Sequence, residues 1–327
     1  MAEPQPRHPR SLVAALLVSL RPRQWTKNLL IFAGLLFTLD QRQDTGHVMR
    51  AVGAFVIFSL LSSCVYLIND VVDRERDRAH PKKRLRPIAA GELSAPAAVT
   101  AACILGAISL TAAFILSGRF GSIALIYFTM TVGYSFYFKH VVILDVLVLA
   151  SGFVLRAIAG AVVIPVGISA WLILCTMMLA LFLALSKRKA ELLASLESGS
   201  TGSRRILTEY TGPMLDQMIV IVTSACLMSY ALYTLESPAA YKHHYLMATI
   251  PFVLYGIFRY LYLAHRHDLG ESPDAVLLED RPTLVNLVLF GITTGLIVSH
   301  QLQRIINAFN GLSASHLVQR IIDAFNR

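Results

Sequence analysis
The chain has 327 residues, 55% of them hydrophobic, with a mean hydropathy of +0.60 and a formal net charge of +9. That apolar share lies well above the usual mix of a soluble domain and excludes one. The positive charge is no nucleic-acid footprint, because the basic residues sit in short segments between long apolar runs.

Residues 11–20 are apolar and interrupted by Arg21-Pro22-Arg23, with no small-residue cleavage pattern. They read as an interfacial helix leading into the first span, not as a cleavable signal peptide. Windows of about 20 apolar residues, enough to cross a hydrocarbon core of about 30 Å, then recur to the end of the chain. The predicted spans cover residues 24–39, 48–72, 95–116, 120–138, 141–165, 170–185, 213–235, 245–263 and 282–301. Runs of this length without period-two alternation predict an all-α, polytopic membrane protein, a bundle of nine transmembrane helices, and argue against an outer-membrane barrel. Residues 1–302 read as a single transmembrane domain. Four cysteines, Cys64, Cys103, Cys175 and Cys226, fall inside predicted spans without metal spacing and read as small buried hydrophobes.

The second span ends in Asn69-Asp70-Val71-Val72-Asp73-Arg74-Glu75-Arg76-Asp77. Spacings of three and four set Asp70, Asp73 and Asp77 on one stripe of a helix, with Asn69 one residue behind. Three acids on one stripe repel one another, so the pattern makes physical sense around a cation. Hard oxygen ligands suit Mg²⁺, which binds one or two carboxylates together with substrate phosphates. A single helix over 48–77 would run about 45 Å and carry its last turns out of the hydrocarbon. At the bilayer centre each carboxylate would cost about 2.5–3.5 kcal/mol. The run Lys82-Lys83-Arg84-Leu85-Arg86 adds the complementary charge, and Lys27, Lys82 and Arg84 are candidates for an anionic substrate.

Lys139 closes the fourth span, and Asp145 and Arg156 lie in the fifth, about three helical turns apart. An intramembrane Arg is a functional candidate by default, the alternative being a structural ion pair. Gly152, Ala157, Ala159 and Gly160 would let another helix approach closely. After the sixth span, Lys187, Arg188 and Lys189 are suited to phosphate oxygens or to anchoring topology, and Glu191 sits among them. The connections 73–94 and 186–212 are the two long ones, and basic residues concentrate on their side, which the positive-inside rule makes cytoplasmic. The tail, 303–327, holds two near copies of an amphipathic segment, Gln303-Arg304-Ile305-Ile306 and Gln319-Arg320-Ile321-Ile322. These read as an interfacial helix, a contact in a homo-oligomer or an appended segment.

The acidic motif, preceded by Arg21-Pro22-Arg23-Gln24-Trp25-Thr26-Lys27-Asn28, resembles the UbiA superfamily of intramembrane prenyltransferases. The stretch from Arg78 through Lys82-Lys83-Arg84-Leu85-Arg86-Pro87 to Gly91, and that from Ser151 through Arg156 to Gly160, resemble its decaprenyl-phosphate phosphoribosyltransferase branch. Diphosphate users of the superfamily carry a second Asp-rich motif after the sixth span, where this chain has Lys187-Arg188-Lys189-Ala190-Glu191. The resemblance implies a soluble donor, phosphoribosyl pyrophosphate, and a lipid acceptor, a polyprenyl phosphate whose tail lies in an apolar groove between spans. It implies a catalytic centre at Asp70, Asp73 and Asp77 holding Mg²⁺. The substrates would be held by Asn69, Lys27, Lys82, Arg84, Lys139, Asp145, Arg156, Lys187, Arg188, Lys189 and Glu191. An aromatic prenyltransferase is the nearer rival, and a transporter with Asp70, Asp145 and Arg156 along its path is the rival of another class.

Overall fold
The computed structural model describes residues 10–36, 45–80, 83–164, 167–198, 205–243, 245–266 and 280–299. Lys82 and the tail at 303–327 lie outside them, and the described residues are helical throughout, with no strand among them. The chain opens with α1 (Leu12–Ser19), a 3₁₀ segment (Pro22–Phe32) and a short α2 (Ala33–Leu36). Next come α3 (Thr45–Val72), α4 (Arg74–Ala79), a 3₁₀ turn (Lys83–Leu85) and α5 (Pro87–Ala90). The body continues with α6 (Ala95–Leu116), α7 (Gly118–Phe136), a 3₁₀ turn (Phe138–His140), α8 (Leu144–Val163) and α9 (Ala170–Ser198). Then follow a 3₁₀ turn (Arg205–Glu209), α10 (Gly212–Glu236), α11 (Pro238–Lys242), a 3₁₀ turn (Leu246–Thr249), α12 (Ile250–Arg266) and α13 (Arg281–Val298).

Among the described residues, seven helical stretches are long and apolar enough to cross a membrane: α3, α6, α8, α9, α10, α12 with its leading turn, and α13. The expected span at 120–138 is the 19-residue α7, whose Arg119, Thr, Ser, Gly and Tyr residues make it less apolar. The expected span at 24–39 starts as a 3₁₀ helix. With three residues per turn, Trp25, Asn28 and Ile31 fall on one edge, and that edge meets α3. Trp25 donates to Ser63 at 3.0 Å, Asn28 donates to Ser59 at 3.0 Å and Ser62 at 3.3 Å, and Ile31 is fully buried.

Helix starts follow a repeated local rule. Ser94, Thr211, Ser237 and Asp280 each accept a first-turn backbone N–H, and a proline stands within the next two positions. The oxygen satisfies an orphan donor while proline occupies a place where its missing N–H is not needed. Residues 186–198, expected in a connection, instead extend α9. Their Lys, Arg, Ala, Glu and Leu are strong helix formers, and no Gly or Pro interrupts them before Gly199.

The bundle is built around α8 and α3, which bury 61% and 56% of their most apolar windows, against 17% for α13. Phe58, Phe120 and Tyr127 pack between α3 and α7, with Ala159 and Val163 of α8 in the same cluster. A second cluster joins α8, α9, α10 and α12 through Phe182, Leu215 and Tyr260. The helix expected against the small residues of α8 is the 3₁₀ segment: a Cβ on Gly160 would come within 2.1 Å of the Ile31 carbonyl oxygen. Of the four cysteines, Cys64, Cys175 and Cys226 are buried as expected, but Cys103 is exposed on the outer side of α6.

Candidate active site at the end of the bundle
The acidic stripe lies where α3 gives way to α4. Asp70 is in the last turn of α3, Asp73 sits between the helices with φ −89° and ψ 3°, and Asp77 is in α4. Helical bonding continues across the joint, from Asp73 N–H to the Asn69 carbonyl at 2.9 Å and from Asp77 N–H to the Asp73 carbonyl at 2.8 Å. Asp73 does not spend its carboxylate on capping α4.

Each carboxylate is paired with a cation from outside its own helix. Asp70, 2% exposed, accepts from Arg21 and, at 3.1 Å, from Arg86. The same Nη1 of Arg86 reaches Asp77 Oδ2 at 2.6 Å. Asp73 turns to the other side, where Lys139 Nζ stands 2.7 Å from its Oδ1. The three acids therefore do not converge in this arrangement, and among the described residues no group of three acids, histidines or cysteines encloses a metal position. Arg86 stands as the cation between Asp70 and Asp77, whereas Asp73 turns to Lys139.

The donor set nonetheless fits a hard divalent ion. Asp70 and Asp73 use Oδ1 and Asp77 uses Oδ2, so each carboxylate keeps its second oxygen clear of hydrogen bonds to the described residues. Oxygen ligands at a site open to substrate are what Mg²⁺ requires. Next to Asp70 lies a pocket of about 290 Å³, lined by Arg10, Val18, Ser19, Arg21, Leu85, Arg86 and Pro87. Arg21 is held there in the left-handed region at φ 52°, uncommon for a side chain with a Cβ.

A second polar group braces the same end of the bundle. Arg188 of α9 donates to Asp145 at 2.7 Å, pairs with Glu191 one turn on, and lies 3.5 Å from the Tyr134 hydroxyl. Asp145 also accepts from the Tyr210 hydroxyl at 2.8 Å, which in turn accepts the Ile143 N–H at 2.8 Å. Ile143 has φ 69°, a strained value for a β-branched residue, and Tyr210 secures it at the start of α8. Burial and the Asp145 carboxylate push the Tyr210 phenol up to about 12, so it stays a donor at neutral pH.

Arg156 does not pair with Asp145. It lies deeper in α8 and bonds only neutral groups: Asn28 at 2.7 Å, the Gly152 carbonyl at 2.9 Å and the Tyr127 hydroxyl at 2.8 Å, with its guanidinium 4.7 Å from the Tyr127 ring centre. Through Asn28 it fixes the 3₁₀ segment, whose first residue follows Arg21. Lys27 is half-buried on that segment, Arg84 and Lys187 are exposed, and Lys189 pairs with Asp216 at 2.6 Å. Arg10, Arg21, Arg86 and Tyr210 complete the polar end of the bundle, although sequence spacing did not single them out as site residues. The pairing of Arg21 with Asp70 spans 49 positions, and no local period reports it.

Residues 28–278 match the model of the UbiA prenyltransferase family. A decaprenyl-phosphate phosphoribosyltransferase of Mycobacterium tuberculosis is 37% identical over 276 residues, 84% of this chain and 90% of that protein. One of Mycolicibacterium smegmatis is 35% identical over 86% of this chain and 91% of its own length. A solved UbiA homolog from Archaeoglobus fulgidus bound to GPP and Mg²⁺ shares the fold, with a TM-score of 0.67 at 20% identity over 88% of this chain and 99% of that one.

Proposed function
This chain belongs to the UbiA prenyltransferase family, and from that premise we propose that it transfers a 5-phosphoribosyl group from phosphoribosyl pyrophosphate to a polyprenyl phosphate, at the cytoplasmic face of the membrane. The C1–O bond to the pyrophosphate breaks, an oxygen of the lipid phosphate bonds to the ribose C1 with inversion there, and pyrophosphate leaves. The acceptor is already anionic, so no strong general base is required.

One observation carries the reading: the acids at this site face cations, not further acids. Arg21, Arg86 and Lys139 pair with Asp70, Asp73 and Asp77, and Arg10, paired with Glu92 at 3.6 Å, lines the pocket beside Asp70. The place of a second acidic motif is taken by Lys187-Arg188-Lys189-Ala190-Glu191. A donor with a phosphate and a pyrophosphate, meeting a phosphate acceptor, brings three anionic groups and needs cations at several points of the site. An aromatic prenyltransferase joining a prenyl diphosphate to an aromatic acid brings phosphate on one substrate only.

Asp70, Asp73 and Asp77 would hold Mg²⁺, with Asn69 in support; when bound, such an ion stabilises the charge that grows on a departing pyrophosphate. Arg21 and Arg86 bind phosphate oxygens and position the donor against α3. Lys139 receives the acceptor phosphate. Glu191 orients ribose hydroxyls, with Lys187 and Lys189 beside it on α9, and Lys27, Lys82 and Arg84 raise the local concentration of anionic donor. Arg188 and Asp145 shape the wall between them, and Arg156 holds the 3₁₀ segment that carries Arg21 into place.

Purified protein given radiolabelled phosphoribosyl pyrophosphate, decaprenyl phosphate and Mg²⁺ is expected to yield labelled lipid and equimolar pyrophosphate, and chelation is expected to stop both. Prenylation of an aromatic acid from a prenyl diphosphate, with no labelled lipid at any acceptor chain length, would overturn the assignment.

A further inference from the structure
Two chain ends flank the pocket beside Asp70. Ser11 caps α1 by accepting the Ala14 N–H at 3.3 Å, which fixes the backbone just after Arg10. Gly91, at φ 82°, ends α5 in the left-handed conformation and turns the chain at Glu92. Ala15 of α1 shares one buried cluster with Ile88 of α5 and with Leu93, so the two caps lie side by side. Arg10, the residue before one cap, thereby meets Glu92, the residue after the other.

Their contact is incomplete. Arg10 Nη1 stands 3.6 Å from Glu92 Oε2, beyond a hydrogen bond, and both atoms are buried with no hydrogen-bond partner among the described residues. A buried charged donor left in that state is costly and uncommon. The neighbouring donors are committed: Arg21 to Asp70, Arg86 to Asp70 and Asp77, and the Ser19 hydroxyl to the Ala15 carbonyl at 2.9 Å. Of the three arginines that line the pocket, Arg10 is the one with no hydrogen bond to a carboxylate among the described residues. All three keep 25–31% of the side chain exposed, so a ligand arriving from water can reach them.

We infer that Arg10 binds the 5-phosphate of the donor and so selects a sugar phosphorylated at that end. The inference rests on the function proposed above and adds to it the residue that reads the part of the donor remote from the bond that breaks. The pyrophosphate belongs with Asp70, Asp73 and Asp77. The pocket starts at Asp70 and reaches Val18 and Ser19 of α1, so the rest of the donor extends along it toward Arg10. Its volume of about 290 Å³ is at the small end for a ligand site and suits a single phosphorylated pentose. Val18, Leu85 and Pro87 give the carbon face of the sugar an apolar wall. A phosphate oxygen at Arg10 takes the place of Glu92, because a guanidinium fork makes paired hydrogen bonds with phosphate and makes none with Glu92 Oε2. Glu92 acts as a placeholder that keeps the guanidinium at the pocket wall. A donor without the 5-phosphate leaves Arg10 on Glu92 and forfeits the contact.

Titration calorimetry of the full chain in detergent tests this without turnover, with ribose 5-phosphate, ribose and, in the presence of Mg²⁺, pyrophosphate as probes. Arg10→Gln is expected to weaken ribose 5-phosphate about tenfold or more and to leave pyrophosphate unchanged. Glu92→Gln removes the competing anion and is expected to tighten ribose 5-phosphate. Opposite signs are the signature, since a mere clamp between the segment before α1 and the end of α5 would make the two variants behave alike. Changes of the same sign in both variants would overturn the inference, as would a loss of pyrophosphate affinity in Arg10→Gln equal to that of ribose 5-phosphate. Wild-type protein that binds ribose 5-phosphate no more tightly than ribose would overturn it too. In transfer assays the donor KM should rise in Arg10→Gln and fall in Glu92→Gln, with the acceptor KM unmoved. If labelled lipid forms but neither the donor KM nor ribose 5-phosphate affinity depends on Arg10, the function stands and this subsite fails. If ribose 5-phosphate binding depends on Arg10 but no phosphoribosyl lipid forms, the subsite stands and the function proposed above fails.

Discussion
Arg188 Nε stands 2.7 Å from Asp145 Oδ2, with 4% and 0% of the two side chains exposed, so α8 and α9 are locked by a pair of charges removed from water. Such a pair is weak evidence of net stability, because desolvating both ions offsets much of their attraction. Breaking it from one side is another matter. Arg188→Met leaves Asp145 with only the Tyr210 hydroxyl and the first turn of α8, and is expected to destabilise the protein by about 3–5 kcal/mol. Asp145→Leu combined with Arg188→Met should recover most of that loss in thermal unfolding of the detergent-solubilised protein. Transfer activity in the double variant then separates the two roles: recovery with stability means a brace, and continued loss means that Arg188 also binds phosphate.

At Gly160 the neighbour is backbone and not a flexible side chain. A Cβ there would stand 2.1 Å from the Ile31 carbonyl oxygen and 2.8 Å from its Cα. Gly160→Ala should therefore push the 3₁₀ segment off α8, at a cost of about 1–3 kcal/mol, and lower the melting temperature. Since that segment begins beside Arg21, the donor KM is expected to rise as well. Gly118→Ala, where a Cβ meets nothing within 4 Å, is the matched control and should leave both unchanged.

These two sites show what the sequence makes legible and what it hides. The apolar windows are read from composition alone, because a bilayer demands about 20 apolar residues from any crossing helix. The acidic stripe is equally plain, since spacings of three and four have one geometric meaning on a helix. The partners of those acids are not: Arg21 and Lys139 lie 49 and 66 positions away from Asp70 and Asp73, and only packing brings them together. The 3₁₀ segment escaped for a related reason, as an i, i+3 edge of Trp25, Asn28 and Ile31 also suits an α-helix. The far part of α9 is hidden because Lys187 to Glu191 suit a membrane edge as charges and a helix as strong helix formers alike.

Asp280 caps α13 and makes two hydrogen bonds with Arg259 of α12, at 2.8 and 3.1 Å. These bonds, with the Thr283 hydroxyl and N–H behind them, hold its carboxyl well below the usual aspartate range. A depressed folded-state value means that the stabilisation is full above the unfolded value of about 4 and is lost as pH falls below it. The melting-temperature gap between wild type and Asp280→Asn should therefore be constant from pH 5 to 7 and shrink progressively below pH 4. A gap that stays constant to pH 3 would show that the carboxylate contributes nothing as an ion.

Asp70 and Asp73 carry the same side chain but should lose activity for different reasons. Asp70 is buried between two arginines, so Asp70→Asn leaves Arg21 and Arg86 short of an anion and is expected to lower both the melting temperature and activity. Asp73 is more open, with 14% of its side chain exposed, and has Lys139 as its one ionic partner among the described residues. Asp73→Asn leaves the buried Lys139 with a neutral hydrogen-bond partner, so it is expected to lower the melting temperature too, while transfer falls about 10²-fold or more. Pyrophosphate release titrated against Mg²⁺ checks the cause. If Asp73 serves the ion, the variant's rate should climb with Mg²⁺ well beyond the concentration that saturates wild type. An unchanged Mg²⁺ dependence with the same loss of rate would instead assign Asp73 to holding Lys139 in place.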